Sequence, residues 1–113
     1  MTDPAHATGS DATIGLGPLL EEAASTHADV TSTGRDRGLA WAVGGHSIVT
    51  LEGGTASFRV GREIGAAARN TPDTSSSALG PEWVAFRPAV LDGHARDRIV
   101  AWFGAAHRRA GQT

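Results

Sequence analysis

Arginine offers the first route to chemistry in this chain, because all ten basic residues are arginine and none is lysine. A guanidinium group makes paired, charge-assisted hydrogen bonds with carboxylates and phosphates. Arg59 and Arg87 lie in two segments that we predict to be strands, and Trp83 lies in the second of them. Together on the exposed face of a sheet, the three would bind an anion, a peptide or a base. We favour the other interpretation, in which a helix or a second copy of the chain covers Trp83 and leaves both arginines in solvent, because large apolar residues are few.

A second group of arginines lies in a C-terminal segment that we predict to be a helix. Its candidates for nucleic-acid contact are Arg96, Arg98, Arg108 and Arg109. On a helical projection, Arg98 and Arg109 fall on one flank of the apolar stripe. Arg96 and His107 fall on the other flank, which favours side chains that border a packed helix. A nucleic-acid surface is the alternative, supported by the net charge of +3 over residues 53–113.

The other residues capable of chemistry lack the spacing that a site needs. Five histidines occur, none with another four residues away, and the chain has no cysteine, so we expect no metal site and no thiol nucleophile. The serines at 75–77 lie in a predicted polar loop, outside any Gly-x-Ser-x-Gly context. The glycines at 15 and 17 precede a helix without the strand and third glycine of a dinucleotide-binding fingerprint. We therefore expect no catalytic residue and no cofactor.

The elements that must position these side chains form an α+β pattern. We predict a disordered tail over residues 1–13 and a single domain over residues 14–111. Within it, the order α-β-β-β-α-β-α predicts a four-stranded, mainly antiparallel sheet with packed helices. The predicted segments are a helix from Pro18 to Ala28, a loop at 31–38, strands at 39–43, 47–52 and 55–60, a helix at 61–70, a loop at 71–81, a strand at 82–87, and a helix from Asp92 to Ala110.

Glycine turns set the register of the three central strands. The Gly53-Gly54 pair predicts a two-residue hairpin, which places Val49 opposite Phe58 on an apolar face. The same turn places Thr50 opposite Ser57 on a polar face. For the preceding hairpin we favour a three-residue loop at 44–46, because it buries Trp41 on the apolar face; a two-residue loop would turn Trp41 outward.

Residues 38–61 resemble the central β-meander of TfoX N-terminal-domain-like proteins. The resemblance lies in a Gly-Leu-Ala-Trp strand at 38–41, a glycine turn, a second strand, and an Arg-Val-Gly ending at 59–61 before a helix. A later Trp-Val strand at 83–84 and an amphipathic C-terminal helix follow the same plan. Small YjbR-like proteins share the general order and are the weaker match. The resemblance implies an α+β domain and, for the family's namesake, a part in regulating competence; it supplies no catalytic residues.

Composition limits the protein classes that remain. The chain has 113 residues and a formal net charge of −2, which fits one domain and excludes a generally basic nucleic-acid binder. No apolar run reaches the length of a membrane span, and the N-terminus lacks the plan of a signal peptide. We therefore expect a cytoplasmic location and no membrane contact. Large apolar residues are few, which favours a homodimer.

These observations favour a non-catalytic binding or regulatory module that acts through a protein partner. The first alternative is nucleic-acid association through the arginine-bearing C-terminal half, which predicts binding that weakens steeply with salt. The second is an anion or small-molecule site, binding or catalytic, on the sheet face near Arg59 and Arg87. It predicts that a specific ligand raises the melting temperature.

Overall fold

Three helices and six strands make up the fold, in a computed structural model that describes residues 11–35 and 38–111. The elements in chain order are α1 (Asp11–Ala24), β1 (Val30–Arg35), β2 (Gly38–Val43), β3 (His46–Glu52), β4 (Thr55–Arg59), α2 (Arg62–Ala68), β5 (Thr74–Ser77), β6 (Gly80–Phe86) and α3 (Gly93–Gly111). The strands form one antiparallel sheet in the order β1-β2-β3-β4-β6-β5. The predicted α+β class and antiparallel sheet are confirmed.

The predicted number of strands and order of elements were wrong, because the two outermost strands were interpreted as loops. β1 begins one residue before the predicted loop at 31–38 and otherwise lies within it, and β5 lies within the predicted loop at 71–81. Among the strands that the structure describes, each of the two pairs with one neighbour. Their sequences, Val-Thr-Ser-Thr-Gly-Arg and Thr-Ser-Ser-Ser, contain one large apolar residue between them. Neither edge strand therefore has the alternation of apolar and polar residues by which a strand is predicted from sequence.

The predicted register of the central hairpin is confirmed, with Val49 opposite Phe58 and Thr50 opposite Ser57. In the preceding hairpin Trp41 lies opposite Val49, as expected. The predicted three-residue loop is wrong, because Val43 pairs with His46 and only the glycines at 44 and 45, both at positive φ, form the turn.

A β-bulge reconciles that tight turn with a buried Trp41. The register shifts between Trp41 and Ala42, and Ile48 is the extra residue on β3. Both Ile48 and its neighbour Val49 are buried as a result. The bulge therefore keeps the apolar face of the hairpin on the core and adds one more apolar side chain to it.

The core lies between one face of the sheet and the helices. Trp41, Phe58 and Phe86 from the strands and Phe103 from α3 are fully buried. α1 adds buried leucines at 16 and 20, and α2 adds Ala68 to the same cluster. No helix within the described ranges is long and apolar enough to cross a membrane.

The helix ends differ from their predicted positions. α1 begins at Asp11, so residues 11–13 are helical where a tail was predicted, and Pro18 lies inside the helix. α1 also ends four residues before the predicted end, where the Thr26 hydroxyl donates to the Ala23 carbonyl. The prediction for residues 1–10 lies outside the described residues. At the other end of the chain, Asp92 caps α3 as expected, since its carboxylate accepts the Ala95 N–H at 3.0 Å.

Candidate functional site

Two arginines and a glutamate meet where β4 ends, β6 begins and α3 makes its last turn. Arg59 Nε lies 3.1 Å from Glu82 Oε1, and Arg109 Nη2 lies 3.0 Å from the same oxygen. About a third of each of the three side chains is exposed. We call these three residues the arginine cluster.

A glycine turn gives the arginine cluster its geometry. Gly61 adopts φ 97° and ψ 163°, a conformation that is essentially restricted to glycine. The N–H groups of Val60 and Gly61 both donate to the carbonyl of Glu82, at 3.0 and 2.9 Å. A Cβ on Gly61 would lie 3.0 Å from Cδ of Arg109. The turn thus ties β4 to β6 and leaves the space that the Arg109 side chain occupies.

A cavity of about 490 Å³ adjoins the arginine cluster, between the β2–β3 hairpin and the last turns of α3. Its volume is within the range of small-molecule sites. The residues that line it are Val43, Gly44, His46, Ile48, Arg59, Ala106, Arg109 and Ala110. The lining is therefore largely apolar, and its polar members are His46 and the two arginines.

The arginine cluster carries a net positive charge. Hydrogen bonds from Arg109, the larger influence, and from Arg59 hold the pKa of Glu82 below its ordinary range. Glu82 is therefore ionised at neutral pH, and two guanidinium groups face one carboxylate. The Nε of Arg109 is buried and has no hydrogen-bond partner among the described residues. The cluster thus retains both charge and an unsatisfied donor.

A second polar cluster lies on the other flank of α3. The ring of His27 stacks on that of His107, with centroids 4.1 Å apart, and on that of Phe103 at 5.9 Å. His107 Nε2 lies 2.8 Å from Oδ1 of Asp29. We call His27, Asp29 and His107 the histidine cluster. It joins α3 to the segment between α1 and β1.

The surroundings lower the pKa of both His27 and Asp29 in the histidine cluster, for different reasons. Burial, followed by the charge of His107, lowers the pKa of His27. The hydrogen bond with His107 lowers the pKa of Asp29. The cluster therefore favours a neutral His27 beside an ionised Asp29.

The structure separates the predicted binding residues Arg59, Trp83 and Arg87 into two places. Arg59 lies directly opposite Trp83, which is half-buried. Arg87 follows the far end of β6, so its backbone lies roughly 13 Å from that of Arg59 along the sheet. The Arg87 N–H donates to the Asp73 carbonyl at 2.9 Å, and its side chain is exposed. Arg59 thus faces Arg109 of α3 rather than Arg87.

The predicted nucleic-acid candidates on α3 do not form one surface. Arg96 pairs with Glu22 of α1 at 2.8 Å, and Arg109 belongs to the arginine cluster. Arg98 lines a separate cavity of about 330 Å³ that also contains aspartates 73 and 92. Arg108 extends back along its own helix, within reach of Gly104. Acidic side chains thus accompany three of the four arginines.

The two edges of the sheet differ in how open they are. β1 pairs with β2 over six residues without a break, and Thr31–Gly34 are exposed. β5 has four residues, and its register shifts between Ser76 and Ser77. The serines at 75–77 therefore belong to a short edge strand. Within 11–35 and 38–111 no group of three or more histidine, aspartate or glutamate residues could hold a metal ion.

Sequence reasoning missed the partners that give these clusters their form. Glu82 was predicted only as the start of a strand, and no role was predicted for Asp29. The helical projection did separate Arg109 from His107, and the structure places them in different clusters on opposite flanks. The arginine cluster depends on contacts of Glu82 with residues 23 and 27 positions away, which no local pattern in the chain reveals.

Comparison with known proteins adds no relative. No protein-family model matches the chain. No curated protein and no solved structure matches it either.

Proposed function

We propose that this chain is a non-catalytic binding module that acts through a protein partner, and that the partner adds a strand to β1. The observation that carries the proposal is the open edge of the sheet. In an antiparallel pair every second residue of an edge strand directs its N–H and C=O away from its neighbour. Such an edge is a template for a further strand.

The sequence of β1 supports strand addition at this edge. Its first five residues, Val30–Gly34, contain no charged residue and no proline, the two devices that commonly protect an exposed edge. Two threonines and a valine among them favour extended backbone. The other edge is less suitable, because β5 is short and interrupted by its register shift.

The proposal also includes the resemblance of residues 38–61 to TfoX N-terminal-domain-like proteins and a cytoplasmic location. The α+β class of the fold supports the resemblance, since the resemblance implies an α+β domain. A second copy of the chain is one candidate for the partner. A second copy would pair β1 with β1 and extend the sheet across both chains.

A pair of matched variants tests strand addition. Thr33→Lys places a charge on β1, and Ser75→Lys places the same charge on β5; both positions are exposed. Tagged wild-type and variant proteins are used to capture partners from a lysate of source cells, and the mass of each purified protein is measured by light scattering. We expect Thr33→Lys to lose a partner, or a dimer, that wild type and Ser75→Lys retain.

Equal retention by all three proteins would contradict the role of β1. The same captures are run with and without nuclease. Partners that disappear with nuclease would favour the alternative of nucleic-acid association. Within the described residues that alternative has little support, since acidic groups accompany Arg96, Arg98 and Arg109.

A further inference from the structure

We infer that the cavity beside the arginine cluster binds a small organic carboxylate with an apolar body. This site is separate from β1 and goes beyond the proposed function. It combines a cationic side, formed by Arg59 and Arg109, with an aliphatic wall that includes Val43, Ile48 and Ala106. Sites for small molecules are typically apolar cavities with a few polar groups that orient the ligand.

The charge of the cluster selects a monoanion. Two guanidinium groups and the Glu82 carboxylate leave one net positive charge at the side of the cavity. The C-terminal end of α3 lies nearby and contributes roughly half a negative charge, which the net full charge outweighs. A dianion such as sulfate would leave a negative charge uncompensated beside this single positive charge, whereas a single carboxylate matches it.

Both arginines retain donors for a carboxylate while they hold Glu82. Arg59 uses Nε, and Arg109 uses Nη2, on the same glutamate oxygen. The two terminal nitrogens of Arg59 are not used in that contact. In the same way, Nη1 of Arg109 is not used on Glu82. A carboxylate in the cavity would accept hydrogen bonds from these terminal nitrogens and make an ionic contact with both arginines.

The β2–β3 hairpin provides the apolar part of the site. The bulge makes Ile48 the extra residue of β3, and its side chain lines the cavity. Gly44 lines it too, and as a glycine it adds no side chain there. A short alkyl or aromatic body would therefore replace water against aliphatic carbon.

Calorimetric titration with hexanoate tests the inference, with hexanol as the uncharged control and inorganic phosphate as the control without an apolar body. We expect hexanoate to bind about tenfold more tightly than either control. Arg109→Gln and Arg59→Gln should each weaken hexanoate binding by about tenfold. Arg96→Gln, which removes an exposed arginine paired with Glu22 at the other end of α3, should leave it unchanged.

A gain of binding guards against variants that fail to fold. Glu82→Gln removes the counter-charge and keeps an amide oxygen to accept both arginine hydrogen bonds, so it should bind hexanoate more tightly than wild type. The inference is overturned if wild type does not bind hexanoate at about 10 mM, or binds hexanol equally well. It is also overturned if Arg96→Gln weakens binding as much as Arg109→Gln does, or if Glu82→Gln fails to strengthen it.

Discussion

The arginine cluster and the histidine cluster lie on opposite flanks of the same helical turns and respond to their surroundings in different ways. Arg109 and His107 are only two residues apart, yet one contacts Glu82 of β6 and the other contacts Asp29 before β1. In the arginine cluster, two guanidinium groups hold one ionised carboxylate, that of Glu82. In the histidine cluster, the lowered pKa of His27 makes the charge of that ring depend on pH below 6.5.

The difference shows how one amphipathic helix supports two kinds of site. On the arginine flank, the cluster opens onto a cavity and carries excess charge. On the histidine flank, stacked rings pack on Phe103 and no cavity among those described is lined by them. The first arrangement is suited to binding a ligand, and the second couples the stability of the fold to pH.

The largest expected effect comes from removing the ring beneath the histidine cluster. Phe103 is fully buried and contacts both His27 and Trp41. Phe103→Ala should lower the free energy of unfolding by about 3–5 kcal/mol, because it leaves a cavity in the core. Urea denaturation followed by circular dichroism measures the change. A loss below about 1 kcal/mol would mean that the core does not depend on this ring.

On the arginine flank, Gly61→Ala should cost about 1–3 kcal/mol of unfolding free energy, because alanine disfavours the backbone conformation of Gly61. Its Cβ would also press on the Arg109 side chain. Gly93→Ala is the matched control, since no described atom lies within 4 Å of an added Cβ and its φ is not in the left-handed region. Equal costs for the two variants would contradict the assigned role of Gly61.

A pH dependence should distinguish the two clusters. The pKa of His27 is lowered below 6.5 in the folded state, so the unfolded chain binds more protons in that interval. The free energy of unfolding should therefore be highest above about pH 6.5 and should fall as the pH drops below that value. It should level off once the pH is below the folded pKa of His27. Melting temperatures measured across this range should fall in wild type and in Glu82→Gln. The same fall should be absent in His27→Gln. A fall that persists in His27→Gln would assign it to another group.

The smallest expected effect lies at lower pH on the arginine flank. The pKa of Glu82 is lowered below 4.5, so the stability that it contributes is present above that value and lost as the pH falls through the folded pKa. Glu82→Gln should flatten the acid limb of the stability curve without changing the region near pH 6.5. Melting temperatures measured from about pH 4.5 downwards provide the test, and an unchanged acid limb would contradict the assignment.

Local patterns in the sequence predicted the centre of the molecule better than its edges. The glycine turn at 53–54 and the alternation around it predicted the register of β3 and β4, because turn geometry and burial act over a few residues. The bulge at Ile48 and the strands β1 and β5 were not predicted, because no local sequence pattern indicates them. The arginine cluster was not predicted for the same reason, since the position of Arg109 beside Arg59 and Glu82 depends on how α3 packs across the sheet.

The most direct test of the division between the two clusters is an NMR titration of ¹⁵N-labelled protein with hexanoate, in which backbone amides and arginine Nε–H groups are observed together. We predict shifts in the Nε–H signals of Arg59 and Arg109 and in the amide of Ile48, with no change at His27 or His107. Shifts centred on the histidine cluster, or no shifts at all, would contradict the assignment of the arginine flank as a ligand site.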